Sequence, residues 1–279
     1  TQDVYWYQMN LIWLQLDGLV AGYNAVSPDD PLTLKDLLLL NAIVDLSSLI
    51  NKPFLSIDDP NWTEQMAREH ERKTTHCSAI VKLSADYSEL WASHNTWTGY
   101  FTMLRIVKTY DLAYHNTAGD SWLDWVPARQ VIFSGYPGIL ASTDDFFVLS
   151  SRLLVLETTN SVYNKDLLDT IQPECVLTWA RSILANRIAT DGASWVEAFK
   201  PFNSGTINNQ WLVVDYNKFE AYKPLKAGTL WVLEQIPTYI EAADMTRVLQ
   251  YGYWPSYNRP YFAKISAMSG QDSMINKFG

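Results

Sequence analysis

Apolar residues recur at helical spacing from residue 3 to residue 23, at Trp6, Met9, Trp13, Leu16, Leu19, Val20 and Tyr23. That interval gathers them on one helical face. The period returns over 33–50, with Thr33 as N-cap and Leu34, Leu37, Leu38, Ile43, Leu46 and Ile50 expected inward. From Asn51 to His76 the texture turns polar, with two prolines, adjacent aspartates and the charge-dense run EQMAREHERK. This reads as an exposed linker carrying a short solvated helix. At about 25 residues it is longer than most loops of compact domains, which makes it functional, disordered or removable. At Cys77 the pattern changes abruptly to β: AIVKLS, a turn-like ADYS, then ELWASHNTW, together a hairpin. Residues 98–110 return to helical spacing. Further strands are expected at 130–134, 146–150, 152–157, 210–216 and 229–235, and helices at 175–189, 193–200 and 245–251. Strands and helices come in blocks rather than in alternation, which favours an α+β fold with antiparallel sheets and packed helices.

Composition changes this picture little. The 279 residues suffice for one domain with a sizeable core, and we read 1–279 as a single domain: a helical segment 1–50, a polar linker 51–76 and a core 77–279. A net charge of −9 with no basic stripe argues against nucleic acid as a partner. No run approaches the roughly 20 apolar residues of a membrane helix. Two cysteines make no disulfide framework. No signal-peptide pattern is read at Thr1, which leaves two expectations open: a cytosolic protein, or a chain that begins after a removed signal. Asn61-Trp62-Thr63 is a glycosylation sequon. His70 and His115 lack metal-ligand spacing, so neither metal nor cofactor is expected. The adjacent carboxylates Asp144 and Asp145 would point to opposite faces of a strand, against a shared site. Cys175 opens a helical pattern and reads as a buried structural thiol.

The position of Cys77 is the sharpest chemical signal. With the hairpin turn near residue 86, antiparallel pairing sets Cys77 opposite His94 or Asn95, within reach of an imidazole that favours thiolate. Cleavage between His76 and Cys77 would in addition make Cys77 an N-terminal residue. Its own α-amino group, with a reference pKa of about 8, could then act as base for the thiol. A removable linker before a strand that starts on the nucleophile accounts for the abrupt boundary.

The blocks HCSAIVKL, ASHNTW, SGYPG, DDFFVLSS, LETTN, FNSGTINNQW, LEQIP and GYWPSYN resemble, in order, the phospholipase B-like family of lysosomal and secreted proteins. The resemblance implies a four-layer αββα sandwich of the N-terminal-nucleophile hydrolase type. It also implies a glycosylated precursor cut at His76–Cys77 into two noncovalently associated fragments, and a lysosomal or secreted location. Relatives often carry Asp where this chain has Asn95, and an amide would orient an imidazole without charge. Under the resemblance, Asn203 in FNSGTINNQW becomes a candidate oxyanion donor, although Asn, Ser and Gly also make turns. Asn208, Asn209, Asn95, Trp97 and Thr158 are further substrate or oxyanion candidates, with Thr159 beside them in LETTN. The expected activity is removal of acyl groups from phospholipids or acyl amides by Cys77, with His94 and Asn203 assisting. The alternative is a non-catalytic lysosomal lipid-binding or structural protein that keeps the fold.

Overall fold

The computed structural model describes residues 2–74, 77–119, 124–144 and 146–279. Helices are α1 (Gln2–Val26), α2 (Leu34–Asn41), α3 (Ile43–Ile50), α4 (Glu64–Thr74), α5 (Lys165–Leu168), α6 (Thr178–Ile188), α7 (Gly192–Phe199), α8 (Thr246–Leu249), α9 (Ala263–Ser269) and α10 (Gln271–Phe278). Strands are β1 (Cys77–Leu83), β2 (Leu90–Thr96), β3 (Ile106–Asp111), β4 (Gln130–Gly135), β5 (Phe146–Leu149), β6 (Leu153–Thr159), β7 (Asn209–Asp215), β8 (Leu230–Ile236), β9 (Tyr239–Asp244) and β10 (Tyr253–Ser256). They form two antiparallel sheets, β10-β1-β2 and β3 through β9 in chain order. The α+β class with antiparallel sheets is as the block pattern implied.

The sheets face each other. Ala79, Val81 and Leu83 of β1 share a core with Leu154, Leu156, Leu212 and Val214 of β6 and β7. The opposite face of the large sheet packs on α6 and α7, where Trp195 stacks on Phe199 at 4.9 Å and meets Trp211 at 5.3 Å. β6 and β7, covered on both faces, are buried almost throughout, so their stretches LLVL and WLVV are continuously apolar rather than alternating, while Glu157, Thr158, Asn209, Gln210 and Asp215 are buried beside them. The hairpin strand β1 alternates buried and exposed instead. The outer face of its sheet leaves Ile80, Trp91 and Tyr253 exposed among the described residues.

Several expectations need correction. Residues 98–110 are not a helix: a 3-10 turn at Tyr100–Leu104 leads into β3, because Ile106, Val107 and Thr109 are β-branched and pair with β4. The helix over 33–50 breaks at Ala42 into α2 and α3, and Thr33 does cap α2 through a capping box with Asp36. The inward positions of these helices belong to Leu37, Asn41 and Asp45, while Ile43 and Ile50 are exposed. In α1 the core face is Tyr5, Gln8, Met9, Ile12 and Leu16, so Trp6, Trp13 and Tyr23 lie outside it.

Polar contacts explain the rotation. Asn41 Nδ2 donates to the Leu37 and Gly138 carbonyls and its Oδ1 accepts from Leu140 N–H. Asp45 accepts from the N–H groups of Thr178 and Trp179 at the start of α6 and from the Thr206 hydroxyl. Neither is seen by a count of apolar positions. The linker is also more ordered than its composition suggests. Ile57, Trp62 and Ala67 form a small core with Tyr163 and Met274, and His70 packs edge-on against Tyr163.

Candidate active site

The end of β6 and the start of β7 lie side by side, Thr159 paired with Asn209 and the Asn160 N–H donating to the Asn208 carbonyl at 2.6 Å. Beside them β1 begins, and Cys77, 2% exposed, is its first residue. These strand ends form one pole of a cavity of about 640 Å3. Cys77, Thr96, Thr159, Asn160 and Asn208 supply its polar part. Leu40, Ile43, Val44, Leu104, Ile139 and Ile207 supply an apolar wall. The exposed leucine and isoleucine of α2 and α3 thus face a cleft rather than the core.

Asn160 is the residue that sequence reasoning passed over. Its side chain is 2% exposed, and neither its Oδ1 nor its Nδ2 has a hydrogen-bond partner among the described residues. A buried unpartnered amide costs about 1–3 kcal/mol, so its place in the wall of a cleft points to a ligand group. The available signal was an asparagine immediately after β6, at the end of LETTN. Asn208 lines the same cavity with an unpaired Oδ1. Asn209, the first residue of β7, is fully buried with an unpaired amide among the described residues and does not line the cavity.

Asn203 is a correction. Its Nδ2 donates to the Ile236 carbonyl at 2.9 Å and its Oδ1 accepts from Gly205 N–H at 3.0 Å. It is turn chemistry, outside the Cys77 cavity. Gly205 has φ +66°, and a Cβ there would lie 2.7 Å from Pro237 Cα, so the turn requires glycine. After it, Ile207 holds φ +49° in the cavity wall, its N–H fixed by Ser48 Oγ at 2.9 Å. A β-branched residue in that region is strained, a feature that concentrates at functional sites.

The hairpin register also differs from expectation. Cys77 faces Thr96, and His94 faces Ala79, because the turn centres between residues 86 and 87 rather than at 86. His94 remains on the same inward face, since the offset is two residues. Its Nε2 contacts the Glu157 carbonyl at 2.7 Å and its Nδ1 lies 3.4 Å from Thr96 Oγ1, so Thr96 stands between it and Cys77. Asn95 points outward and is exposed. Trp97 is 51% exposed and does not line the cavity. Thr158 is turned away, its hydroxyl bonded to Ser256 Oγ at 2.7 Å, while Thr159 is the one in the wall. Cys175 is half-buried, and neither it nor Cys77 forms a disulfide.

Asp144 lies at the cavity rim with its carboxylate taking bonds from Ser134 Oγ and from Tyr136 OH at 2.9 Å, and with Arg105 Nε 2.6 Å away. Asp145, the other half of that acidic pair, lies outside the described residues, as does His76 of the expected cleavage bond. No group of His, Cys, Asp and Glu among the described residues could hold a metal ion. Asn61 is exposed in the turn before α4.

The linker reaches the site itself. His70, Lys73 and Thr74 of α4 line the cavity, and Thr74 Oγ1 is 2.7 Å from Ser161 Oγ. His70 is buried, its Nε2 3.0 Å from the Val162 carbonyl, and burial pulls its pKa down to about 4. No helix among the described residues is long and apolar enough to cross a membrane.

Relatives bear on this geometry. The chain is 46% identical to phospholipase B-like protein B of Dictyostelium discoideum, covering 96% of this chain and 46% of that protein. It is 39% identical to phospholipase B-like 1 of Bos taurus over 99% of this chain and 49% of the relative, and 39% identical to the Homo sapiens protein of that name over 99% and 48%. The chain therefore spans about half the length of these curated relatives. Among solved structures it is similar to a mutant of conjugated bile acid hydrolase from Clostridium perfringens, at 13% identity and a TM-score of 0.40, covering 70% of this chain and 57% of that one. The family model described as Phospholipase B matches residues 1–279, and the chain belongs to that family.

Proposed function

We propose that this chain is an acyl hydrolase whose nucleophile is Cys77, released as an N-terminal residue by cleavage at His76–Cys77. The observation that carries the reading is the convergence of Cys77 and the unpartnered Asn160 amide on one cleft with an apolar wall. In the proposed reaction the thiol proton passes to the α-amino group and the sulfur attacks the substrate carbonyl. Asn160 Nδ2 donates to the oxyanion, in the place first given to Asn203. Collapse forms a thioester and expels the alcohol or amine with the shuttled proton, and water then releases the acid. In the cleavage that exposes Cys77 the thiol would attack the His76 carbonyl, the peptide nitrogen would leave as the new α-amino group, and water would release the His76 carboxylate from the thioester; only after that step does the α-amino base exist. The apolar wall suits a long acyl chain, which fits the phospholipase B-like names of the relatives. A lysosomal or secreted location, a glycan on Asn61 and association of the fragments 1–76 and 77–279 belong to the same proposal.

The test is intact-mass analysis of cleaved protein given lysophospholipids, diacyl phospholipids and long-chain acyl amides. An acyl adduct on the 77–279 fragment is expected, and none with Cys77→Ala. Lipid binding by fully cleaved protein, with neither adduct nor product, would instead establish the non-catalytic alternative.

A further inference from the structure

The loop between α7 and β7 is held from two sides. Ser204, Thr206, Ile207 and Asn208 are all buried, so its backbone groups need partners inside the protein. The core supplies some of them. Gln235 Nε2 donates to the Thr206 and Ile207 carbonyls at 2.7 and 2.9 Å, and Thr178 Oγ1 donates to the Thr206 carbonyl at 2.7 Å. Others come from α3. Asp45 accepts from the Thr206 hydroxyl, and Ser48 Oγ accepts from the Ile207 N–H at 2.9 Å. Asp45 and Ser48 stand three residues apart, on one face of that helix.

Ser48 is used differently from its neighbour. Ser47 Oγ bonds back to the Val44 carbonyl of its own helix, the ordinary habit of a helical serine. The Ser48 hydroxyl instead takes the N–H of a residue 159 positions away. What it fixes there is a strained conformation. Ile207 has φ +49°, which a β-branched side chain resists. Released, the turn would relax towards negative φ and rotate the peptide that follows. The next residue is Asn208, which lines the Cys77 cavity and whose carbonyl accepts from the Asn160 N–H at 2.6 Å. A continuous path thus runs from the α3 hydroxyl through Ile207 and Asn208 to the residue with the unpartnered amide.

We propose that Ser48, with Asp45 behind it, is a positioning residue for acyl transfer. It holds Ile207 left-handed and thereby sets Asn208 and Asn160 in the wall of the Cys77 cavity. This rests on the reading of Cys77 as an acyl nucleophile and Asn160 as its oxyanion donor. It adds that the segment before the cleavage bond stays part of the site after the cut. Ser48 lies on one side of His76–Cys77 and the loop it holds lies on the other, so the 1–76 fragment supplies catalytic geometry as well as stability.

The test compares acylation of Cys77 in cleaved protein with its alkylation by iodoacetamide. Both need the thiolate, but only acylation builds an oxyanion, so their ratio reads the oxyanion donors rather than thiol access. Ser48→Ala should slow acylation by phenyl acetate and by phenyl hexanoate about tenfold each, less than the loss of a whole oxyanion donor, and leave alkylation unchanged. Ser48→Thr, which keeps the hydroxyl, should restore the ratio. Hydrogen exchange over 203–209 should accelerate in Ser48→Ala and not in Ser48→Thr. Acylation and alkylation falling together would overturn the proposal. So would a loss confined to the longer ester, because Ser48 itself lines the cavity and would then be a contact for the acyl chain. Unchanged exchange over 203–209 overturns it whatever the acylation rates. No acyl adduct in the unmodified protein overturns the acyl-nucleophile reading and with it the catalytic half of this proposal, while exchange over 203–209 separately decides whether Ser48 holds the loop.

Discussion

At the scale of single residues, the site turns on an amide with nothing to bond. Asn160 directly follows β6, is buried, and has both polar side-chain atoms unpartnered among the described residues, in the wall of the cavity that Cys77 also lines. Asn203, the more conspicuous asparagine in sequence, spends both ends of its amide on a turn. Both sit in segments rich in Asn, Ser, Thr and Gly, and residue type alone does not separate a donor in use from one in reserve. Asn160→Ala is expected to lower the rate of acyl transfer to Cys77 by about 10²–10³, the usual loss for one oxyanion donor. Thermal stability should hold or rise, because an unpaired buried amide is removed. Single-turnover acylation and a melting curve check both, and a normal acylation rate would take Asn160 out of the mechanism.

At the scale of elements, α4 is the informative one. Its polar composition reads as a solvated helix, yet Ala67 and His70 are buried and His70, Lys73 and Thr74 line the cleft. Docking is therefore coupled to pH through His70. The folded pKa of about 4 lies below the ordinary 6.5, so the undocked state binds more protons between those values. Stability of the docked helix is full above pH 6.5 and declines as pH falls towards 4, by up to about 3 kcal/mol in total. Limited proteolysis within 51–74 should accelerate as pH drops from about 7 to about 4.5, across the window between the two pKa values, and His70→Phe should flatten that dependence. Proteolysis insensitive to pH in the unmodified protein would show that His70 does not control the helix. The hairpin teaches a related point. Burial alternates along CSAIVKL in β1, but the partner of Cys77 depends on where a loop turns, and a loop over 84–89 has no periodicity to read.

At the scale of the whole molecule, segment 1–50 is joined to the core through a buried polar network as well as through apolar contact. Asp45 receives Thr178 N–H, Trp179 N–H and the Thr206 hydroxyl, and nearby Arg181, fully buried, bonds the Val176 and Phe199 carbonyls and Gln235. Burial pushes the Asp45 carboxyl up and the Arg181 guanidinium down to about 10. Asp45→Ala leaves the N–H groups at the start of α6 and the Thr206 hydroxyl without their acceptor, and removes a carboxylate whose field favours the buried Arg181 charge. It should lower stability by about 3 kcal/mol or more, as broken buried charge networks do. Denaturant unfolding measures this, and a loss below about 1 kcal/mol would show that the network relaxes around the gap.

The sequence by itself determined the elements with a clear hydrophobic period or an apolar stretch: α1 with its helical spacing, the β1–β2 hairpin, the strands β6, β7 and β8, and the antiparallel α+β class. Burial on two faces or on one leaves a direct trace in hydrophobic order. It also singled out Cys77, because a cysteine at the first position of a strand is anomalous without any fold. Only the tertiary structure decided that Ile43 and Val44 face a cleft, that Asn41 and Asp45 face the core, that 106–111 pairs as a strand, and that Asn160 rather than Asn203 lines the cavity that Cys77 lines. Each of those depends on partners distant in the chain or on a hydrogen bond already made or missing. Hydrophobic order records how much of a side chain is buried, whereas these choices depend on what lies against it.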